Sequence, residues 1–242
     1  MDAADVENIE RATIEAVAPP EVVEIDGWLV PLDHGTIGRA KSAVPLRHDV
    51  GPDAIDEIAA IYRGRGLKPK FRMADVASLI PTCDALAARG YVCDLTTVVK
   101  TGSASQLAAF SQGPARILDR PDAAWAGVFT GDGFDPVDGA HRVAALTRSP
   151  SAVYAAAGED GGTHAVGVMT FGYGWAGIHG MRTAPAHRGK GHAAAILAAL
   201  GRVAVARGVE RVLLDVVEDN PARAIYRRAG FAMAWRYRYW SA

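Results

Sequence analysis

The sequence has only two cysteines among its 242 residues, Cys83 and Cys93, and their spacing suits neither a CxxC redox pair nor a metal-ligand set. They read as small hydrophobes of a reduced compartment, and no metal is expected. No charge excess is present either. Twenty-six Lys and Arg oppose 27 Asp and Glu, a formal net charge of -1. Such a chain generates no overall field toward nucleic acid or an anionic membrane, so neither is expected as a partner. The first residues, MDAADVENIERATIEAV, lack the basic flank and apolar run of a secretion signal. The longest aliphatic run, 193–200, is far short of the roughly 20 residues that cross a bilayer. The expectation is a cytoplasmic protein. Missing too are the GxxxxGK[ST] loop of nucleotide hydrolases and the GxGxxG of dinucleotide-binding folds.

Half of the residues are apolar, enough for one large core or two small ones. Helical spacing of Val6, Ile9, Thr13, Ala16 and Val17 predicts a first helix, stopped by Pro19-Pro20. Extended segments follow at 24–32 and 36–46, around an Asp33-His34-Gly35 turn. A helix over 53–65, a strand over 68–73, a helix over 77–89 and a strand over 91–99 complete the first half. The Gly, Ser, Thr and Gln of 100–112 mark the main boundary. Helical stretches at 123–129 and 140–147 come next, then strands at 152–157, 165–173 and 177–183. A helix over 192–207, a doubly apolar strand over 211–218, a helix over 221–229 and an aromatic strand over 231–240 end the chain.

The halves repeat an order. Gly66-Leu67 and Gly208-Val209 each separate a helix from a strand, and Gly90-Tyr91 and Gly230-Phe231 close the next helix. The pattern predicts a duplication, residues 1–105 and 106–242, in an α/β chain.

The richest local signal is Met181-Arg182-Thr183-Ala184-Pro185-Ala186-His187-Arg188-Gly189-Lys190-Gly191-His192-Ala193. A strand enters a loop with two glycines, and a long Ala-rich helix leaves it. Glycine tolerates positive φ, so consecutive N–H groups can turn toward one point. The helix N-terminus adds about half a positive charge. Arg188 and Lys190 stand beside it. A bare RGxG is as readily a surface turn; the strand-before, helix-after setting makes it a pyrophosphate cradle.

Arg188-Gly189-Lys190-Gly191-His192-Ala193, with the Thr183-to-Lys190 approach and the later Tyr226-Arg227-Arg228-Ala229-Gly230-Phe231, resembles the signature of the GNAT superfamily of acyl-CoA N-acyltransferases. The resemblance is strong over about 115–242. The first half is similar to a degenerate copy, as in tandem GNAT proteins. It implies a mixed sheet splayed between two parallel strands, in each of two GNAT-like domains, and an acetyl-CoA co-substrate. Pantetheine would pair with the backbone near Met181, Arg182 and Thr183. The phosphates would meet Arg188, Gly189, Lys190, Gly191, His192 and Ala193. Family members carry an Asn seven residues before the tyrosine. Here Asn220 is six before it and is followed by Pro221, which also suits a helix N-cap.

Tyr226 reads either as a core aromatic or as the acid that protonates the leaving thiolate, a phenol of pKa about 10 being suited to it. The acceptor amine needs a base, since at pKa about 10.4 only about one molecule in 2,500 is neutral at pH 7. Alternation puts His179 on the face of Met181 and Thr183; it reads equally as a base or as a hydrogen-bonded strand histidine. Glu218 is the second candidate, and His187 and His192 belong to the loop. In the first half the equivalent stretch, 45–51, has no paired glycines, and Leu86 falls where Tyr226 falls, so a non-catalytic partner is expected. Lys68, Lys70 and Arg72 read as a solvated face. Three functional readings follow: acetyl transfer to a small-molecule or peptide amine, an acyl-CoA-binding regulatory module without turnover, and a homodimer formed through the aromatic strand 235–240.

Overall fold

A computed structural model describes all residues, 1–242. The helices are α1 (Ala3–Val17), α2 (Ile55–Gly64), α3 (Ile80–Ala88), α4 (Ala104–Ala109), α5 (Ala123–Thr130), α6 (Pro136–Leu146), α7 (His192–Ala206) and α8 (Arg223–Arg228). The strands are β1 (Glu21–Ile25), β2 (Trp28–Leu32), β3 (Val44–Pro45), β4 (Lys70–Ala74), β5 (Val92–Ser103), β6 (Arg116–Leu118), β7 (Val153–Ala157), β8 (Ala165–Gly172), β9 (Trp175–Thr183), β10 (Arg211–Val217) and β11 (Ala232–Ser241). β1–β3 form a small sheet. The other eight form a mixed sheet in the order β4-β11-β5-β10-β9-β8-β7-β6.

Both halves close their helices in the same way. The N–H of Leu67 bonds to Tyr62 O, that of Val209 to Ala204 O, that of Tyr91 to Leu86 O and that of Phe231 to Tyr226 O. The intervening Gly66, Gly208, Gly90 and Gly230 all have φ between 69° and 89°, the left-handed cap that glycine accepts without a Cβ penalty. These matched caps align β4 with β10 and β5 with β11. Under that alignment the run β4-β11-β5-β10 is unchanged on reversal, so each half's last strand lies inside the other half's sheet. β5 pairs with β10 from Arg211↔Ser103 to Val217↔Thr97, and with β11 from Ala232↔Thr101 to Ser241↔Val92. The sheet therefore runs unbroken across residue 105.

Two cores lie on opposite faces of the sheet. The α7 face holds Val98, Met169, Ile178, Ile196, Leu200, Leu214 and Tyr226; the α1 face holds Ile9, Trp28, Phe71, Met73, Trp175, Leu213 and Tyr237. Several expectations are corrected. Residues 36–46 are not one strand: a 3-10 turn at Gly38–Lys41 precedes the two-residue β3. The polar run after Val99 remains strand to Ser103, because it is paired with β10 to its end and with β11 as far as Thr101, and α4 follows. β6, three residues long, has no periodic signal to announce it. Arg72 is no surface residue. It is 1% exposed and ion-paired at 2.6 Å with Glu10 of α1, which is equally buried. The aromatic strand is no free face either, since Trp235, Tyr237 and Tyr239 are buried and β11 is an inner strand. No helix is long and apolar enough to cross a membrane.

The interleaving has a thermodynamic consequence. Residues 106–242 expressed alone should lack a cooperative thermal transition, because β10 and β11 lose the strand between them. Adding residues 1–105 should restore it; a sharp transition in the isolated fragment, followed by circular dichroism, would sink this expectation.

Candidate active site

The parallel ladder between β9 and β10 contains only Val212↔Ala176, Leu213↔Gly177 and Leu214↔Ile178. Beyond it both strands continue, β9 to Thr183 and β10 to Val217, without pairing to each other. The sheet therefore opens between 179–183 and 215–217. The cause is visible in β9. Its register with β8 jumps from Val168↔His179 to Val166↔Arg182, so Gly180 and Met181 together oppose Gly167. Gly180 sits at φ 57°, and the bulge turns the strand away from β10.

The bulge also changes which side chains share a face. Met181 packs against Ile196 and Leu200 of α7, and a Cβ on Gly167 would meet its sulfur at 2.6 Å. Thr183 pairs with Ala165 of the α7-face core. His179 lies on the other face, where Arg39 and Asp215 are the charges that bear on it. Strict alternation is thus corrected by one extra residue: His179 does not share a face with Met181 and Thr183. Arg182 also points away from α7. Its guanidinium stands 4.2 Å from the Phe134 ring centroid and donates to Phe129 O, so only its backbone borders the opening.

At the foot of β9 the glycine loop has the expected form. Gly189 and Gly191 have φ 79° and 85°, and a Cβ at either would meet nothing within 4 Å. The first α7 bond runs from Ala195 N–H to Gly191 O. The N–H groups from Gly189 through Ala194 therefore have no backbone acceptor, six consecutive donors around a helix N-terminus. Arg188 Nε reaches Thr183 O at 3.4 Å. Lys190 Nζ donates to Glu159 at 3.0 Å, and His192 Nε2 lies 3.8 Å from the same carboxylate. Lys190, first among the causes, holds Glu159 below the usual carboxylate range. His187 stacks on His164 with centroids 3.6 Å apart, which ties the β7–β8 loop to the cradle. Glu159 and His164 carry no motif and were not anticipated.

Tyr226 is 8% exposed on α8, edge-on to Phe231. Burial pushes its phenol up to about 12, so it is a protonated donor at neutral pH. His179 is 3% exposed and neither ring nitrogen has a partner. Burial, then Arg39, lowers it to about 3, so it is neutral rather than poised near 6.5 as the sequence suggested. Asp215, the next residue of β10 after the ladder ends, holds Arg39 at 2.8 Å through Oδ2, while its buried Oδ1 is unpartnered. The sequence reading missed both, although a lone acid in Val212-Leu213-Leu214-Asp215-Val216-Val217 is a visible anomaly. Glu218 is tied to Arg236 at 2.7 Å and lowered by that bond. Asn220 is not the cap of α8: its Oδ1 accepts from Ala222 N–H, and the helix starts at Arg223.

An opening between parallel strands, a donor-lined glycine loop and a buried phenol thus occur together in the half of the molecule that holds α7 and α8. Residues 3–240 match the family described as probable histone acetyltransferase Rv0428c C-terminal, and the chain belongs to that family. The probable histone acetyltransferase Rv0428c of Mycobacterium tuberculosis is 32% identical over 122 residues, 50% of this chain and 37% of that protein. The fold is similar to a GCN5-related N-acetyltransferase from Kribbella flavida, with TM-score 0.74, 17% identity, and coverage of 98% and 95% of the two chains. It is also similar to a tandem GNAT protein from the clavulanic acid biosynthesis pathway, with TM-score 0.64, 14% identity, and coverage of 98% and 87%.

The depressed His179 has a measurable signature. An unfolded histidine titrates near 6.5, so between pH 6.5 and about 3 the unfolded state binds the extra proton. Stability from this group is full above 6.5 and falls with pH below it, by at most about 1.4 kcal/mol per pH unit. His179→Gln should flatten that slope in urea titrations from pH 6.5 to 4.5; an unchanged slope would place the histidine in contact with water.

Proposed function

We infer that the chain transfers an acetyl group from acetyl-CoA to a primary amine by direct attack, with one site, in residues 106–242. The six free N–H groups of Gly189–Ala194 carry this reading, because they form an anion cradle where a pyrophosphate would sit. The free edges of β9 and β10 next to it leave room for pantetheine to pair with the backbone at 181–183.

In this scheme the amine attacks the thioester carbon, the tetrahedral intermediate collapses, and the C–S bond breaks. Tyr226 gives its proton to the departing thiolate and is reprotonated from solvent. The amine's proton needs an acceptor on the other face of the opening. His179 and Glu218 are the two candidates: the nitrogens of His179 are free although burial holds it neutral, whereas Glu218 is committed to Arg236. Protonation of His179 would draw on the Asp215 carboxylate for stabilisation, against the Arg39 guanidinium that the same carboxylate already holds.

Residues 1–105 serve in this reading as a non-catalytic copy. They supply β5 to the sheet and Arg39 to Asp215, and Leu86 replaces the tyrosine. The relative's name makes a lysine-bearing peptide one acceptor to assay beside small amines. A regulatory module that binds acyl-CoA without turnover is the competing reading, and release of free thiol from acetyl-CoA with an amine panel separates the two.

Tyr226→Phe should lower kcat by about 10²- to 10⁴-fold, the range for a general acid, with little change in acetyl-CoA affinity. An unchanged kcat would remove the phenol from the mechanism. Gly191→Ala places a Cβ at φ 85°, a strain of roughly 1–2 kcal/mol. It should weaken acetyl-CoA binding by about tenfold in calorimetry; full affinity in the variant would mean that the loop does not hold the phosphates.

A further inference from the structure

Three of the seven histidines gather at the glycine loop, each brought there by a different element. His187 ends the 3-10 turn Pro185–His187, His192 opens α7, and His164 comes from the loop between β7 and β8. The rings of His164 and His187 stack 3.6 Å apart and 6° from parallel. The ring of His192 stands 6.3 Å from the first and 6.5 Å from the second. Backbone bonds fix the stack: Ala184 N–H donates to His164 O at 2.9 Å, and His187 N–H donates to Ala184 O at 2.9 Å. Gly162 leaves room for the His164 ring, since a Cβ there would stand 2.8 Å from its Nε2.

His192 is 9% exposed, and its buried Nε2 has no hydrogen-bond partner. The buried Nδ1 of His187 has none either. Two unpartnered ring nitrogens beside a helix N-terminus that already presents free N–H groups point to a ligand that supplies acceptors. The charges that bear on His187 are His164 of the β7–β8 loop, Lys190 of the glycine loop, His192 of α7 and the acid Glu159. Arg188 follows it in the chain, and Arg116 of β6 bonds to Thr163 beside His164. Glu159 is already engaged, 3.0 Å from Lys190 and 3.8 Å from His192 Nε2. Desolvation, then His164 and Lys190, hold His187 below the usual histidine value. A bound phosphate reverses that balance, because an adjacent anion favours the charged imidazole. The group lacks the convergence that would hold a metal ion.

We propose that His164, His187 and His192 form an imidazole wall beside the glycine loop, which binds a phosphate group of the cofactor and takes up a proton from solvent as it does so. The wall deepens the acetyl-CoA reading and rests on it for the identity of the ligand. Two groups carry the chemistry, the pyrophosphate and the 3′-phosphate. The bound state holds more protons than the free state, so affinity is highest at low pH. It falls as pH rises through the bound-state value, by at most about tenfold per unit for one proton. A phosphate monoester titrates near 6 by itself, whereas the pyrophosphate diester stays ionised, so the dephospho ester reads the wall alone.

Calorimetry of acetyl-CoA and 3′-dephospho-acetyl-CoA near neutral pH, in buffers of small and large ionisation enthalpy, counts the protons taken up on binding. Wild type should show net uptake, with affinity falling about three- to tenfold from about pH 6 to 8. His187→Asn and His164→Asn should lose the uptake and flatten the profile. Uptake with the dephospho ester assigns the wall to the pyrophosphate. Uptake confined to acetyl-CoA, and lost in both variants, assigns it to the 3′-phosphate. No uptake by wild type with either ester overturns the proposal however the variants fold, and so does uptake that is equal in wild type and both variants. If wild type binds neither ester, the acetyl-CoA reading falls and inorganic pyrophosphate becomes the probe, with the imidazole resonances of wild type followed by NMR. An upward move of the His187 midpoint by about half a pH unit or more then sustains the wall as an anion site. An unmoved midpoint overturns it.

Discussion

The early end of the β9–β10 ladder is the constraint on which the site depends. Parallel strands normally pair along their length, yet here only three register pairs form before a two-residue bulge at Gly180-Met181 turns β9 aside. The opening leaves backbone edges unsatisfied, which is tolerable only where a ligand or water completes them. Tyr226 lies on the α7 face and His179, with Arg39 and Asp215 as the charges that bear on it, on the α1 face.

The electrostatics differ between those faces. On the α1 face, Glu10–Arg72 and Arg39–Asp215 are matched pairs held within a hydrophobic core, and burial still pushes Glu10 up to about 7. A matched pair in such a setting fixes geometry more than it adds stability, because desolvation takes back most of the Coulomb gain. Its effect is to tie α1, the 3-10 turn and β4 of the first half to β10 of the second. At the α7 N-terminus Lys190 is held by Glu159 at 3.0 Å, a pair on the surface rather than within a core.

The sequence made legible what local physics determines. The glycine loop was readable because φ above zero and a following helix leave a mark within a dozen residues. The helix caps at Gly66, Gly90, Gly208 and Gly230 were readable for the same reason. The face of His179 was not, because Gly180-Met181 looks like plain alternation; Gly180, one of two glycines in the strand, was the only hint of a bulge. The burial of Arg72 was hidden because its partner, Glu10, lies in a helix 62 residues earlier. The strand order was hidden as well, since it depends on pairings such as Lys100 with Met233, separated by more than half the chain.

That order bears on how such a chain could arise. A single half with this strand arrangement would end in a strand that belongs to a neighbour's sheet, and two copies would complete one another by mutual donation. Joining the copies makes that association intramolecular and independent of protein concentration. It also frees one copy from keeping a working site. In this chain the first half has no glycine pair at 45–51 and has Leu86 where the second half has Tyr226, and it lends β5 to the common sheet and Arg39 to Asp215.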